Sequence, residues 1–141
     1  MACYRSVTDW LDSLRNAWLS DDPEAISKLF SADSAYHQGP FGVPHRGRHE
    51  IEKHWTRTLA QQRKQLIWFG PPVVSGDRAA VEWWCIVRDA QTEKPRTASG
   101  CVMLKFDESG HCTSLREYWH GEQRAIYPTF DDLSPSNGSR S

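Results

Sequence analysis

Ala79-Ala80-Val81-Glu82-Trp83-Trp84-Cys85-Ile86-Val87-Arg88-Asp89 changes character at every second residue, the period of an extended chain. Strand side chains point to opposite faces in turn, so Val81, Trp83, Cys85 and Val87 form one row and Glu82, Trp84, Ile86 and Arg88 the other. The first row is wholly apolar and is expected to face a core. Working outward, three more runs carry the same period: Leu66–Ser75, Arg96–Asp107 and Cys112–His120. In the run after the quoted one, Val102, Leu104 and Phe106 make a better core row than Cys101, Met103 and Lys105. In the last run Thr113, Leu115, Glu117 and Trp119 are expected inward, with Cys112, Ser114, Arg116, Tyr118 and His120 outward. Gly76-Asp77 and Ser109-Gly110 supply tight turns between antiparallel neighbours.

Upstream the period is helical. Val7, Trp10, Leu11, Leu14 and Trp18 recur at helix spacing, with Ser6 and Asp9 suited to a cap. Asp22-Pro23-Glu24 starts a second helix, with a capping acid, Pro in the first turn and Ile26, Leu29 and Phe30 as its apolar stripe. Ser34 to Gln38 reads as a short extended piece running into Gly39-Pro40-Phe41-Gly42-Val43-Pro44, where Gly and Pro forbid regular structure. A third helix follows Gly47, carrying Ile51, Trp55, Thr58 and Leu59 on one side. Three helices and then a meander of long strands predict an α+β domain with the helices gathered on one face of the sheet. Residues 1–128 are expected to form that single domain and 129–141, rich in Ser, Pro and Asn, a disordered tail.

Composition narrows the function classes. In 141 residues, 25% are charged, yet the formal net charge is −1 and no stretch concentrates Lys and Arg. The electrostatic footprint of a nucleic-acid or anionic-membrane partner is therefore missing. No run approaches the roughly 18 apolar residues of a membrane span. Residues Met1 to Ser6 lack the basic and apolar segments of a secretory signal. A cytoplasmic protein with Cys3, Cys85, Cys101 and Cys112 as reduced thiols is the expectation. Seven Trp in so small a chain mean either a bulky core or a wide apolar cavity.

Phe106-Asp107-Glu108-Ser109-Gly110-His111-Cys112-Thr113-Ser114-Leu115-Arg116-Glu117-Tyr118-Trp119 resembles the final hairpin of ketosteroid isomerases and SnoaL-like cyclases, both of the nuclear-transport-factor-2-like superfamily. Asp22-Pro23-Glu24-Ala25-Ile26 through Leu29-Phe30, the loop Gly39-Pro40-Phe41-Gly42, and Gly47 through Ile51 to Trp55 are similar to it as well. The resemblance implies a cone-shaped, barrel-like α+β fold with three N-terminal helices packed on a curved antiparallel or mixed sheet, and it leaves function open, because the superfamily hosts isomerases, dehydratases, hydrolases, cyclases and binding modules. Carried over by position, the isomerases' catalytic Asp falls on Gly39, their oxyanion-stabilising Tyr on Leu14 and its companion Asp on Val102. Steroid isomerisation by that route thus loses its base and both donors. The acid/base Asp of SnoaL-like cyclases matches Glu117, while their partner His falls near Val102. Limonene epoxide hydrolases use an Arg with two Asp, and the inner rows read here offer no Arg and one carboxylate.

Glu117, set among apolar neighbours, is the candidate acid/base, since a carboxyl withdrawn from water has its pKa raised towards neutrality. His37 is its expected partner, looking into the cone by alternation with Gly39. Trp18, Trp83 and Trp119 project the same way, Trp55 matches a pocket-lining position of the isomerases, and with Leu14 and Val102 they make the candidate substrate wall. His49 and His54 are five apart and do not share a helical face, only His45 and His49 have i, i+4 spacing, with Gly47 between them, no cofactor motif appears, and neither a metal nor a cofactor is expected. The outward row Trp84, Ile86, Met103 and Tyr118 is apolar enough to suggest a homodimer face. Two functions fit: a cofactor-independent acid/base enzyme of the isomerase, cyclase or lyase type acting on a small apolar molecule, or a module that binds an aromatic or lipid-like ligand without turnover.

Overall fold

The computed structural model describes residues 4–129 and 134–135, with side chains over 7–129. Cys3, the side chain of the candidate cap Ser6 and most of the expected tail, from 130 to 133 and 136 to 141, lie outside the described residues.

Three helices precede most of the sheet. In α1 (Tyr4–Leu19) the expected stripe Val7, Trp10, Leu11, Leu14 and Trp18 is buried. α2 (Pro23–Ser27) begins where Asp22 accepts a hydrogen bond from the Ala25 N–H at 3.0 Å, and Pro23 fits the first turn, where no N–H is needed. It is shorter than its stripe suggested. The chain leaves the helix at Lys28, and Phe30 opens β1 (Phe30–His37), where it is fully buried. After β2 (His45–Arg46), α3 (Gly47–Ala60) buries Ile51, His54, Trp55 and Leu59.

The expected strand over 66–75 is two strands: β3 (Gln62–Phe69) and β4 (Val73–Ser75). Pro71 and Pro72 lie between them, and neither has an N–H to give a ladder. β5 (Arg78–Asp89), β6 (Pro95–Phe106), β7 (Cys112–Glu122) and the short β8 (Ser134–Pro135) complete one sheet of order β2-β1-β7-β6-β5-β3-β8, with β4 paired to β5. All pairings are antiparallel except β1 with β7. Gly76 and Gly110 take positive φ in the two anticipated turns, a conformation that costs glycine little. The result is an α+β cone, the class the sequence periods gave and the shape the resemblance implied, in a mixed sheet whose ends stay open. Among the described residues no helix is long and apolar enough to cross a membrane.

The inner rows of β5 and β6 meet the helix stripes in one core that includes Val81, Trp83, Val102, Leu104, Trp10, Ile51 and Trp55. On β7 the expected row is corrected at its start. Lys105 pairs with Ser114 but Phe106 with Cys112, so Thr113 is an extra, bulged residue. The bulge turns Cys112 inward, fully buried, while Leu115 and Glu117 keep the inward row.

The outer face also departs from expectation. Trp84 and Ile86 are not open surface: with Trp68 and Leu66 they form a second apolar cluster. The chain covers this cluster with its own segment after β7. The Trp84 indole donates to the Ile126 carbonyl at 2.8 Å, Tyr127 meets Trp68 edge-on, and β8 pairs with β3 at Trp68 and Phe69. Met103 and Tyr118 remain exposed, so a two-copy contact here must rest on them or displace the segment.

Thr97 fixes that segment. Its buried hydroxyl donates to the Arg124 carbonyl at 2.6 Å and accepts from the Ile126 N–H at 2.9 Å. Thr97→Val keeps the shape and strands both backbone groups, a loss of about 1–3 kcal/mol. We expect faster amide exchange at Ile126 and earlier proteolysis after Glu122 in the variant. Unchanged protection of Ile126 would show that the threonine does not hold the segment.

Candidate functional site

Between the helices and the inner sheet face lies a cavity of about 360 Å³ with a deeper apolar lobe of about 50 Å³. Trp18, Tyr36, Trp55, Trp83 and Glu117 line both spaces, so Glu117 stands where the two join. Leu14 and Val102 line the deeper lobe. Trp119, 46% exposed, belongs to the mouth rather than the interior. The four indoles do not fill the cone: Trp18 and Trp55 pack edge-to-face at 5.1 Å, and the Trp18 N–H is tied to Gln62 Oε1 at 3.0 Å.

β7 presents Glu117 opposite Val102 of β6, two residues beyond buried Leu115. The residue keeps some accessible surface because the cavity admits a water-sized sphere, yet protein atoms crowd the carboxyl. Desolvation pushes its pKa up to about 8, against which a hydrogen bond with Tyr36 works in favour of the charged form. Among the described residues no cation is among the influences on its protonation. The carboxyl is therefore mostly protonated at pH 7, and can both give and take a proton within about a unit of neutrality.

His37 does not join it. β1 runs parallel to β7 with Tyr36 opposite Leu115 and His37 opposite Arg116. Tyr36 is thus buried and inward, and His37 shares the outer side with exposed Arg116. Partial burial, then Arg116 and Arg46, lower the His37 pKa. Tyr36 takes the place expected of the histidine. Burial first, then the Glu117 charge, hold its phenol well above the ordinary value, so its O–H stays intact as a donor.

Two further residues complete the wall. His54 of α3 is buried, with its ring stacked on His45 at 4.4 Å and tilted against Tyr36 at 5.1 Å. Burial, then the neighbouring His45 and Arg57, bring its pKa down to about 4, so its imidazole is neutral under ordinary conditions. Arg96 also lines the cavity, with its Nε–H buried and unpartnered. This corrects the expectation that no inner row carries an Arg: counting back from Val102 by twos reaches Gly100, Ala98 and Arg96. The Trp55 Nε1–H meets no acceptor in hydrogen-bonding geometry, though it is near enough to the Tyr36 oxygen to favour its ionised form.

Cys85 faces the same space, but burial pushes its thiol up to about 12, which leaves almost no thiolate. Cys85, Cys101 and Cys112 are all unpaired. Among the described residues no three His, Cys, Asp or Glu groups come together to hold a metal ion.

Helices on one face of an open mixed sheet, closing over a hollow with an acid on the last long strand, define a cone of the nuclear-transport-factor-2-like superfamily. The family model described as a SnoaL-like domain matches residues 7–115, and the chain belongs to that family. No curated protein matches it. Among solved structures, a hypothetical protein of ketosteroid isomerase-like fold from Catenulispora acidiphila, in complex with trimethylamine, superposes with a TM-score of 0.69. It is 22% identical over 77% of this chain and 83% of its own. Since 288 chains of solved structures match, this fold alone selects no reaction.

Proposed function

We propose that the cavity takes one small, largely apolar molecule and that Glu117 exchanges a proton with it. The chain would then be a cofactor-independent acid/base enzyme of the isomerase, cyclase or lyase type. One observation carries this reading: an inward carboxyl at the junction of the two lobes, its pKa raised to about 8 by burial. Tyr36 acts on it as a positioning group, donating its O–H to the carboxylate form. The test is a carbon-detected NMR titration of the Glu side chains. Glu117 should titrate far above a model Glu, and Tyr36→Phe, which removes that donor, should move it higher still. A normal Glu117 titration removes the basis for proton transfer.

A second reading, binding without turnover, has support from a carboxyl that lacks a cation in an indole-lined space, and from the trimethylamine in the similar Catenulispora structure. A methylated ammonium would supply the missing charge and meet the indole rings. Trimethylamine binding that releases protons and is lost in Glu117→Gln selects this reading. Indifference to that substitution excludes it.

A further inference from the structure

We propose that His54 is a ligand contact, its ring nitrogens reserved for an oxygen atom on a planar apolar molecule held in the cavity. The inference rests on the cavity being the ligand site, and it adds both a contact residue and the polar chemistry of the guest.

Three observations carry it. First, His54 belongs to the inward stripe of α3 with Ile51, Trp55 and Leu59, is 94% removed from solvent, and lines the cavity wall. Second, its neighbours hold the ring without using its nitrogens. His45 stacks at 4.4 Å with planes 21° apart, Tyr36 and Trp55 lie at 5.1 and 6.1 Å, and no hydrogen bond is among the influences on its protonation. A neutral imidazole carries one donor and one acceptor, and neither His54 nitrogen is among the sealed, unpartnered polar atoms, so the unused nitrogens are open to the cavity and available to a guest. Third, two other wall groups have unmet hydrogen bonds, and both are donors: the Trp55 Nε1–H and the Arg96 Nε–H. Two sealed N–H groups on the wall without an acceptor are matched by a guest that accepts. A carbonyl or phenolic oxygen on a flat body meets that requirement, with the body against the indoles.

The ring is also electrostatically poised to donate. His45 and Arg57 oppose a positive charge on it, Glu50 is felt at His45, and Tyr36, whose ring lies against it, interacts with Glu117. A neutral imidazole N–H can stabilise negative charge on an oxygen without itself becoming acidic enough to lose its proton.

The probe is 4-nitrophenol, a planar molecule with one phenolic oxygen, followed by two-dimensional nitrogen NMR of the imidazole and indole groups. In the wild type the His54 ring and Trp55 indole resonances should shift together with a single affinity. His54→Phe, which keeps a flat ring and removes both nitrogens, should bind five- to tenfold more weakly. His54→Gln, which restores a donor and an acceptor, should recover most of that loss, and equal melting temperatures would confirm that both variants fold. Unchanged binding to His54→Phe overturns the proposal. So does a phenol that moves the indoles and leaves His54 untouched, or one that moves neither. The Glu117 titration in the same samples without probe reports separately on proton transfer, so the two ideas can fail independently.

Discussion

Glu117→Gln should abolish a fall in stability that the wild-type protein suffers between about pH 4.5 and pH 8. The carboxyl has an ordinary value of 4.5 and is raised to about 8 by desolvation in the fold. In that window the folded form keeps its proton while the unfolded chain releases it, so the unfolded state is favoured as pH rises. The contribution is fully present below pH 4.5 and lost through pH 8. The whole shift corresponds to about 5 kcal/mol, on the order of 10–20 °C in Tm for a domain of this size. Gln is nearly the shape of the protonated acid and does not ionise. The two proteins should therefore melt together at pH 4 and diverge by pH 9, with the variant the more stable. Parallel curves from pH 4 to 9 would mean that the carboxyl is solvated. A bound ligand that supplies a cation should flatten the wild-type curve in the same way, which makes the measurement a screen for ligands as well.

What could be read from the residues alone follows from how each signal is generated. Val81, Trp83, Cys85 and Val87 lie on a long strand paired on both sides, where alternation is strict, and their row needed no tertiary information. Glu117 was legible for the same reason. His37 was misread because its parity was counted from Gly39, which lies beyond the end of β1. The parallel ladder with β7 sets the parity there, and a partner strand nearly 80 residues away in sequence is invisible locally. Tyr36, two residues after buried Ser34, carried a hint of it. His54 was available in the pattern 51, 54, 55, 58, 59, a complete helical stripe, but histidine is easily set aside as polar. Arg96 was reachable by continuing the Val102 row backward through Gly100. The inward turn of Cys112 depends on a bulge, and the covering of Trp84 and Ile86 on contacts to Ile126 and Tyr127, neither of which leaves a periodic trace.

Gly100→Ala should cost at least about 3 kcal/mol, the largest loss expected from adding a single carbon atom to this chain. Gly100 is paired with Trp119 across β6 and β7, and its backbone has no unusual φ, so the argument is purely one of space. A methyl group there would run into the Tyr118 carbonyl oxygen and the Cα and Cβ of Trp119, closer than real Cβ atoms approach anything. The Tyr118 oxygen and Trp119 Cα are backbone and cannot swing aside as a flexible side chain would. The two strands must part, and they must do so two residues from the Val102–Glu117 pair that carries the acid into the cavity. Stability and site geometry are therefore coupled at this position. Urea unfolding should show a loss of about 3–5 kcal/mol, and the Glu117 titration should shift towards an ordinary value as water enters along the opened ladder. Gly39→Ala and Gly42→Ala are the controls: an added Cβ meets nothing within 4 Å at either, and both should stay within about 0.5 kcal/mol of wild type. A Gly100→Ala protein as stable as those controls would show that β6 and β7 are not in such close contact, and the placement of Trp119 at the cavity mouth would fall with it.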